Sequence, residues 1–283
     1  SRFSLPREIP DFLSYKKRIT SFDEIDLGYN LEKVVKESKR CLNCTGCCEC
    51  LQCELNCARD AIFHDMKEET VVLNVGAVII SPGFEEYIPP KGDSLGYRIY
   101  PNVLTSIEFE RMLSASGPFS GHIHRISDRK PPKKVAWLQC VGSRDESCDR
   151  LYCSSVCCMY ATKEAVIAKE HEPGLDAHIY FMDMRSFGKD FERYFNRAEQ
   201  EYGIEYRRCR IPRIEQDIKT KNLLIIYVDE KGKLIKEEYD MIVLSVGLQP
   251  CSQLNDLSKI LEVNLNEYGF IQTDTYNPTL TKR

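Results

Sequence analysis

The chain has 283 residues, 39 basic against 43 acidic side chains, a net charge of −4 and 42% apolar content. That balance suits about two globular domains and excludes an overall basic nucleic-acid binder. It also holds 14 cysteines, seven of them between residues 41 and 57 and five between 140 and 158.

The opening Ser-Arg-Phe-Ser-Leu-Pro-Arg lacks the pattern of a secretory leader, and a first residue of Ser reads as a processed chain or a piece of a longer one. A cytoplasmic setting is expected, and no apolar run approaches the roughly 18 residues that span a bilayer. Residues 1–26, with Pro6 and Pro10, read as an extended arm, and Leu27 to Leu42 as a helix on the spacing of Leu31, Val34, Val35 and Leu42. After the first cysteine run, Val71 to Ile80 (VVLNVGAVII) is apolar and β-branched, a buried strand closed by Ser81-Pro82-Gly83. Residues 88–102 are a Pro- and Gly-rich loop. Thr105 or Ser106 caps a helix to about Ser114, with Glu108 and Glu110 in its first turn. A polar loop over 115–133 ends in Pro131-Pro132.

A regular alternation follows. Lys134–Val141 is a strand, Val156–Glu170 a helix, His178–Met182 a strand and Asp190–Tyr202 a helix. Ile204–Ile211, Asn222–Val228 and Leu234–Gly247 are further strands, and Ser252–Leu261 is a helix. Strand–helix alternation implies an α/β fold with a parallel, nucleotide-domain-like sheet, and the three late strands imply an antiparallel extension.

The cysteine spacings carry the chemistry. Cys47-x2-Cys50-x2-Cys53-x3-Cys57 is the bacterial ferredoxin spacing, in which three thiolates wrap one cubane cluster and the fourth serves another. Cys41 and Cys44 lie just upstream. With Cys48 the run has seven thiols, one short of two [4Fe–4S] clusters, so one ligand comes from elsewhere, one cysteine is not a ligand, or one cluster is present. Zinc is disfavoured because a ribbon wants its two knuckles a dozen or more residues apart, and a disulfide framework suits small secreted domains instead. Cys57 is followed by Ala58 where the ferredoxin run has Pro.

The second group occupies the turn where a dinucleotide domain carries GxGxxG. Here the strand KVAWLQCV runs into Gly142-Ser143-Arg144-Asp145, and one glycine cannot make both the tight turn and the pyrophosphate approach. Cys153, Cys157 and Cys158 start the next helix, where the helix dipole favours thiolates. With Cys140 they can converge at one strand–helix junction; the competing reading is a set of buried apolar thiols. Cys148, Cys209 and Cys251 stay unassigned, with Cys209 read as a core thiol. His122 and His124 read as surface residues, while Arg185 and Lys189 after the next strand are candidates to face a cofactor or partner.

Several stretches are long enough to be specific: QCVGSRDESCDRLYCSSVCCMYATKEAV, NVLTSIEFERMLSASGP, VGAVIISPGF, YFMDMRSFGKDFE and MIVLSVGLQP. Together, over roughly residues 70–280, they resemble the heterodisulfide reductase A-subunit and its relatives, flavin and iron–sulfur proteins of anaerobic electron-transfer complexes. Asp26 to Ile62 resembles the iron–sulfur arm of glutamate-synthase-type flavoproteins. The resemblance implies a thioredoxin-reductase-like fold binding FAD, and a cluster on Cys140, Cys153, Cys157 and Cys158. The flavin GxGxxG of the family's earlier Rossmann half is absent, and Ser81-Pro82-Gly83 stands where the family has Ala-Thr-Gly. The expected layout is therefore an iron–sulfur arm over 1–66, part of a flavin domain over 67–132 and 240–283, and a degenerate dinucleotide-like domain over 133–239. FAD would be shared with a missing segment or a partner chain, alongside two or three [4Fe–4S] clusters.

On this reading Lys163, Arg144, Asp145, Gly83 and Gly247 are candidates to line the cofactor site. The expected role is an electron-transfer component, electron-bifurcating in the family's manner, of a cytoplasmic hetero-oligomeric oxidoreductase with cluster-bearing partners. A cluster-bearing scaffold without its own flavin is the alternative.

Overall fold

The fold is that of a computed structural model, which describes residues 6–39, 51–229 and 231–281. It opens on a two-residue strand β1 (Asp11–Phe12), one helical turn α1 (Tyr15–Arg18) and β2 (Asp26–Gly28), which pairs back on β1. The amino-terminal arm is thus a ribbon and not simply extended. Helix α2 (Leu31–Ser38) starts four residues later than its periodicity suggests. Asn30 caps it, its side chain accepting from the Lys33 N–H at 3.0 Å, and the residues before Asn30 belong to β2. Helix α3 (Gln52–Leu55) is a single turn.

Val71 to Ile80 forms no strand, against expectation. Val72 and Ile79 are more than 90% exposed, so the run has the composition of a buried strand without a neighbour to pair with among the described residues. Strand β3 (Phe84–Glu86) follows.

Next come β4 (Val103–Thr105) and α4 (Ser106–Leu113), β5 (Lys134–Val141), the helix α5 (Cys157–His171), β6 (Asp176–Phe181), α6 (Phe191–Gln200) and β7 (Glu205–Arg208). Thr105 caps α4 through a capping box with Glu108. Three more strands, β8 (Ile214–Gln216), β9 (Leu223–Val228) and β10 (Leu234–Tyr239), make their own antiparallel sheet. The single strand expected over Leu234–Gly247 is two: the chain breaks at Asp240, and β11 (Met241–Val246) enters the other sheet. Its neighbour β12 (Leu248–Pro250) pairs with β3, and α7 (Leu254–Leu261) closes the order.

The central sheet runs β4-β11-β5-β6-β7, all parallel. This is the expected α/β architecture. One apolar core packs the sheet against α4, α5 and α6, through Phe109, Trp137, Ala161, Ala165, Ile179 and Val243. A second packs its other face on β8–β10, through Leu138, Tyr180, Ile225, Tyr239 and Leu244. Successive residues of β5 and β11 thus serve opposite cores, as the two-residue period of a strand requires. Both faces are covered, which explains why β5 and β11 are apolar at nearly every position. Because β4 and β11 belong to this sheet, it crosses the boundaries drawn at 132/133 and 239/240.

Candidate iron–sulfur site

The site begins as a defect in the sheet. Leu138 pairs with Leu244 and Val141 with Val246, so Gln139 and Cys140 together oppose Ser245 alone. The extra residue is a bulge, and Cys140 takes it up at φ +62°. A left-handed backbone is rare for a residue with a Cβ, and such strain gathers at functional turns. Gly142 and Arg144 follow at φ +68° and +56°, and Ser155 at +63°. Left-handed residues alternate with ordinary ones along this loop, and it folds back on itself there, the Ser143 N–H donating to Cys140 O at 3.3 Å.

The loop is pinned at both sides. The Arg144 N–H donates to Tyr152 O at 2.9 Å, and Asp145 and Arg150 exchange backbone bonds of 2.8 and 3.0 Å. At Gly247 a Cβ would come within 2.8 Å of Ser143 Cβ and 2.9 Å of Ser154 Oγ. A glycine there lets the loop lie against the end of β11, and the Gly247 N–H bonds Val141 O at 2.8 Å.

Helix α5 then brings its first turn to the same place. Cys157 Sγ lies 3.6 Å from Val246 O, and Cys158 Sγ 3.9 Å from Asp183 O. The Ser155 N–H meets Cys153 Sγ at 3.3 Å. Cys140, Cys157 and Cys158 are buried and Cys153 is half-buried. The four interact electrostatically: burial first, then Cys158, pushes the Cys140 thiol up to about 11. Cys157 is pushed up to about 12 by burial, with Cys140 and Cys158 adding to it. Burial also raises Cys158, opposed by the Arg185 backbone N–H. Two guanidinium groups counter this crowding. Arg144 lies beside Cys140 and Cys158, and Arg185 beside Cys153; both are held by Asp183, with Arg185 Nε 2.9 Å from it.

This donor set fits an iron–sulfur cluster: four thiols, two fixed cations, a helix N-terminus and the Ser155 N–H on Cys153. Two buried polar side chains on the same side of the sheet, Gln139 and Ser245, have no hydrogen-bond partner.

The other expected residues fall differently. Asp145 lines an adjoining cleft, and Ser147 and Arg210 hold its carboxyl below the usual range against the effect of burial. Lys163 stays apart, ion-paired with Glu110 on the outer face of α4. Gly83 precedes β3 with open space where a Cβ would stand, and Gly247 is packed by protein atoms. For a flavin, then, the described residues supply no Gly-rich strand–helix turn and no cradle at these positions. The cleft holds about 750 Å³ at the carboxyl ends of β5–β7, and its wall gathers Cys140, Cys148 and Cys209 with Arg150 and Arg210. The sequence gives no sign that Cys148 and Cys209 meet there.

In the first cysteine run, Cys41, Cys44, Cys47, Cys48 and Cys50 lie outside the described residues. Cys53 is exposed, 3.3 Å from His64 Nε2, and the Ala61 and Arg59 N–H groups lower the Cys57 thiol. Elsewhere, Asp176, His178 and Glu205 converge within 4.8 Å. Lys134 and Arg207 already neutralise the two carboxylates, and His178 is bonded at both ring nitrogens. Of the three, His178 is buried, and through Tyr239 it joins a polar layer with Tyr180 and Glu237.

No helix among the described residues is long and apolar enough to cross a membrane. No family model matches the chain. It is 40% identical over 264 residues to the CoB–CoM heterodisulfide reductase iron–sulfur A-subunit of Methanocaldococcus jannaschii, covering 88% of this chain and 39% of that one. It is 43% identical over 212 residues to one of the iron–sulfur A-subunits of the same reductase from Methanopyrus kandleri, covering 75% and 32%. Among solved structures, T. acidophilum thioredoxin reductase matches with a TM-score of 0.41 and 15% identity, over 70% of this chain and 52% of that one. The chain spans less than half the length of the relatives it matches. Over the residues it spans, this chain belongs to the A-subunit family of the heterodisulfide reductases.

Proposed function

We propose that this chain is an electron-relay segment of a heterodisulfide-reductase-type oxidoreductase, with a [4Fe–4S] cluster on Cys140, Cys153, Cys157 and Cys158. The observation that carries it is the convergence of those thiols at one strand–helix junction, from positions 18 residues apart at most. Such a cluster accepts and releases single electrons. The chain's residues do the rest. The β5 bulge aims Cys140, and the first turn of α5 presents Cys157 and Cys158. Arg144 and Arg185 offset the negative charge of four thiolates. The run Cys41–Cys57 supplies one or two further clusters on the same reading, and partners are other cluster-bearing subunits in an oxygen-poor cytoplasm.

FAD and electron bifurcation belong to this reading through the family resemblance. The described residues do not form the flavin's site, so we assign it to a longer chain or a partner protein and derive no step through it. Anaerobic purification with iron, sulfide and flavin quantitation tests the whole. Iron and acid-labile sulfide without flavin is the expected result, and zinc without sulfide overturns it. In Cys157→Ser, one EPR signal should vanish while others persist. An unchanged spectrum rejects the second site.

A further inference from the structure

Two polar side chains stand out inside the apolar central strands. Gln139 is 8% exposed and both its amide nitrogen and its amide oxygen are buried without a partner. Ser245 is 0% exposed, and its hydroxyl is likewise unpartnered. Buried amides and hydroxyls are nearly always hydrogen-bonded, so two such orphans on paired strands call for an explanation.

Their position supplies one. The β5 bulge sets Gln139 and Cys140 opposite Ser245, so the two orphans are neighbours across β5 and β11. Both face the helix layer. Trp137, two residues before Gln139, donates from Nε1 to Glu164 on α5 at 3.0 Å. Val243, two residues before Ser245, packs in the helix-side core, while Leu138 and Leu244 serve the opposite core. By the strand period, Gln139 and Ser245 therefore point toward the first turn of α5. That turn carries Cys157 and Cys158, and Cys157 Sγ contacts Val246 O, one residue beyond Ser245.

We infer that Gln139 and Ser245 donate hydrogen bonds to the sulfurs of the group held by the four cysteines, and thereby set its reduction potential. The inference rests on the cluster reading above. An amide N–H or a hydroxyl aimed at a sulfur stabilises the extra negative charge of the reduced state, so donors raise the potential. The two residues act on how readily the chain holds an electron, and neither is a ligand.

The test uses the complete protein, purified anaerobically, with Gln139→Met and Ser245→Ala. Methionine keeps the length of glutamine and removes both polar ends. Each variant should shift the reduced-to-oxidised equilibrium roughly tenfold toward the oxidised form, a lowering of about 59 mV for one electron. The readout is an EPR-monitored potential titration of the signal that Cys157→Ser removes. A potential that stays put in both variants, with iron and sulfide content intact, overturns the inference and leaves the cluster reading standing. That outcome would mean that the two side chains are buried polar groups without influence on the cluster. Absence of any signal sensitive to Cys157→Ser overturns both. Should Gln139→Met fail to assemble, Ser245→Ala decides, since it deletes a single oxygen. Deuterium exchange gives a second measure on the wild-type protein. Exchangeable couplings to the same signal should be present and should weaken in Ser245→Ala; their absence overturns the inference.

Discussion

Glu164→Gln should gain stability over the wild-type protein as pH rises. Glu164 is 1% exposed on α5, and its Oε2 accepts from Trp137 Nε1 at 3.0 Å. Burial pushes its carboxyl well above the usual range; Glu110 adds to this, while the Trp137 bond and Lys163 oppose it. An unfolded carboxyl titrates near 4.3. Below that pH both states hold the proton and the wild type carries no penalty. Above it the unfolded chain releases the proton while the folded chain keeps it. The folded state then binds more protons, so its stability falls as pH rises, by at most about 1.4 kcal/mol per pH unit. Over two units, from pH 5 to 7, the ceiling is about 3 kcal/mol. Glutamine keeps an acceptor for Trp137 in nearly the same volume and has no proton to lose. Its new N–H group can lower stability by about 1–3 kcal/mol if unpaired, but that offset does not change with pH. The diagnostic is therefore the slope of the difference. Anaerobic urea denaturation of both proteins at pH 4.5, 6 and 7.5 measures it. A difference that is flat across this range would refute the assignment of a protonated Glu164 in the folded protein.

Three further outcomes follow from the same structure. Gly142 sits at φ +68°, and a Cβ there would come within 1.9 Å of the Tyr87 ring. Gly142→Ala should lose about 1–2 kcal/mol from the left-handed backbone alone, more with the clash. It should bind less iron on reconstitution, whereas Gly174→Ala, with open space around it, should not. Thr105→Ala removes the capping box of α4 and should lower stability by about 1 kcal/mol, read as a urea midpoint shift at unchanged slope. Burial works against ionisation of Glu237, but Lys134 and Arg207 hold it down at about 2. Its contribution to stability is therefore present above about pH 4.5 and lost as pH falls toward 2. The deficit of Glu237→Gln in thermal unfolding should be full at pH 6 and shrink at pH 2.5; an equal deficit at both would contradict it.

Legibility in the sequence follows how local each signal is. Lys134–Val141 and the helix from Val156 are readable because period and composition agree within one segment. Thr105 and Glu108 announce their helix by spacing alone. The break at Asp240 is hard to read because neither Gly nor Pro marks it, although β10 (LIKEEY) alternates while β11 (MIVLSV) is apolar almost throughout. Val71–Ile80 fails for the opposite reason: its composition is strand-like, but pairing depends on a neighbour that composition cannot supply. At the site, the four cysteines are visible by spacing. Gln139 and Ser245 leave a fainter mark, a polar residue in each of two otherwise apolar runs. Lys163 misleads because one helical turn from Cys158 still leaves its side chain on the face that meets Glu110.

Strand β11 has a consequence for assembly. Cys157 meets Val246 across 89 positions of sequence, and Ser106 Oγ reaches Leu244 O across 138. On the ribosome, all four thiols emerge before the strand that closes over them. Until residue 246 is in place, β4 and β5 lack the partner that joins them, and the thiols stand in an open, oxidisable loop. Pairings of such long separation form slowly. If these thiols hold the proposed cluster, a nascent chain halted before Met241 should be unable to retain iron and sulfide there, because the strand that joins β4 and β5 is missing.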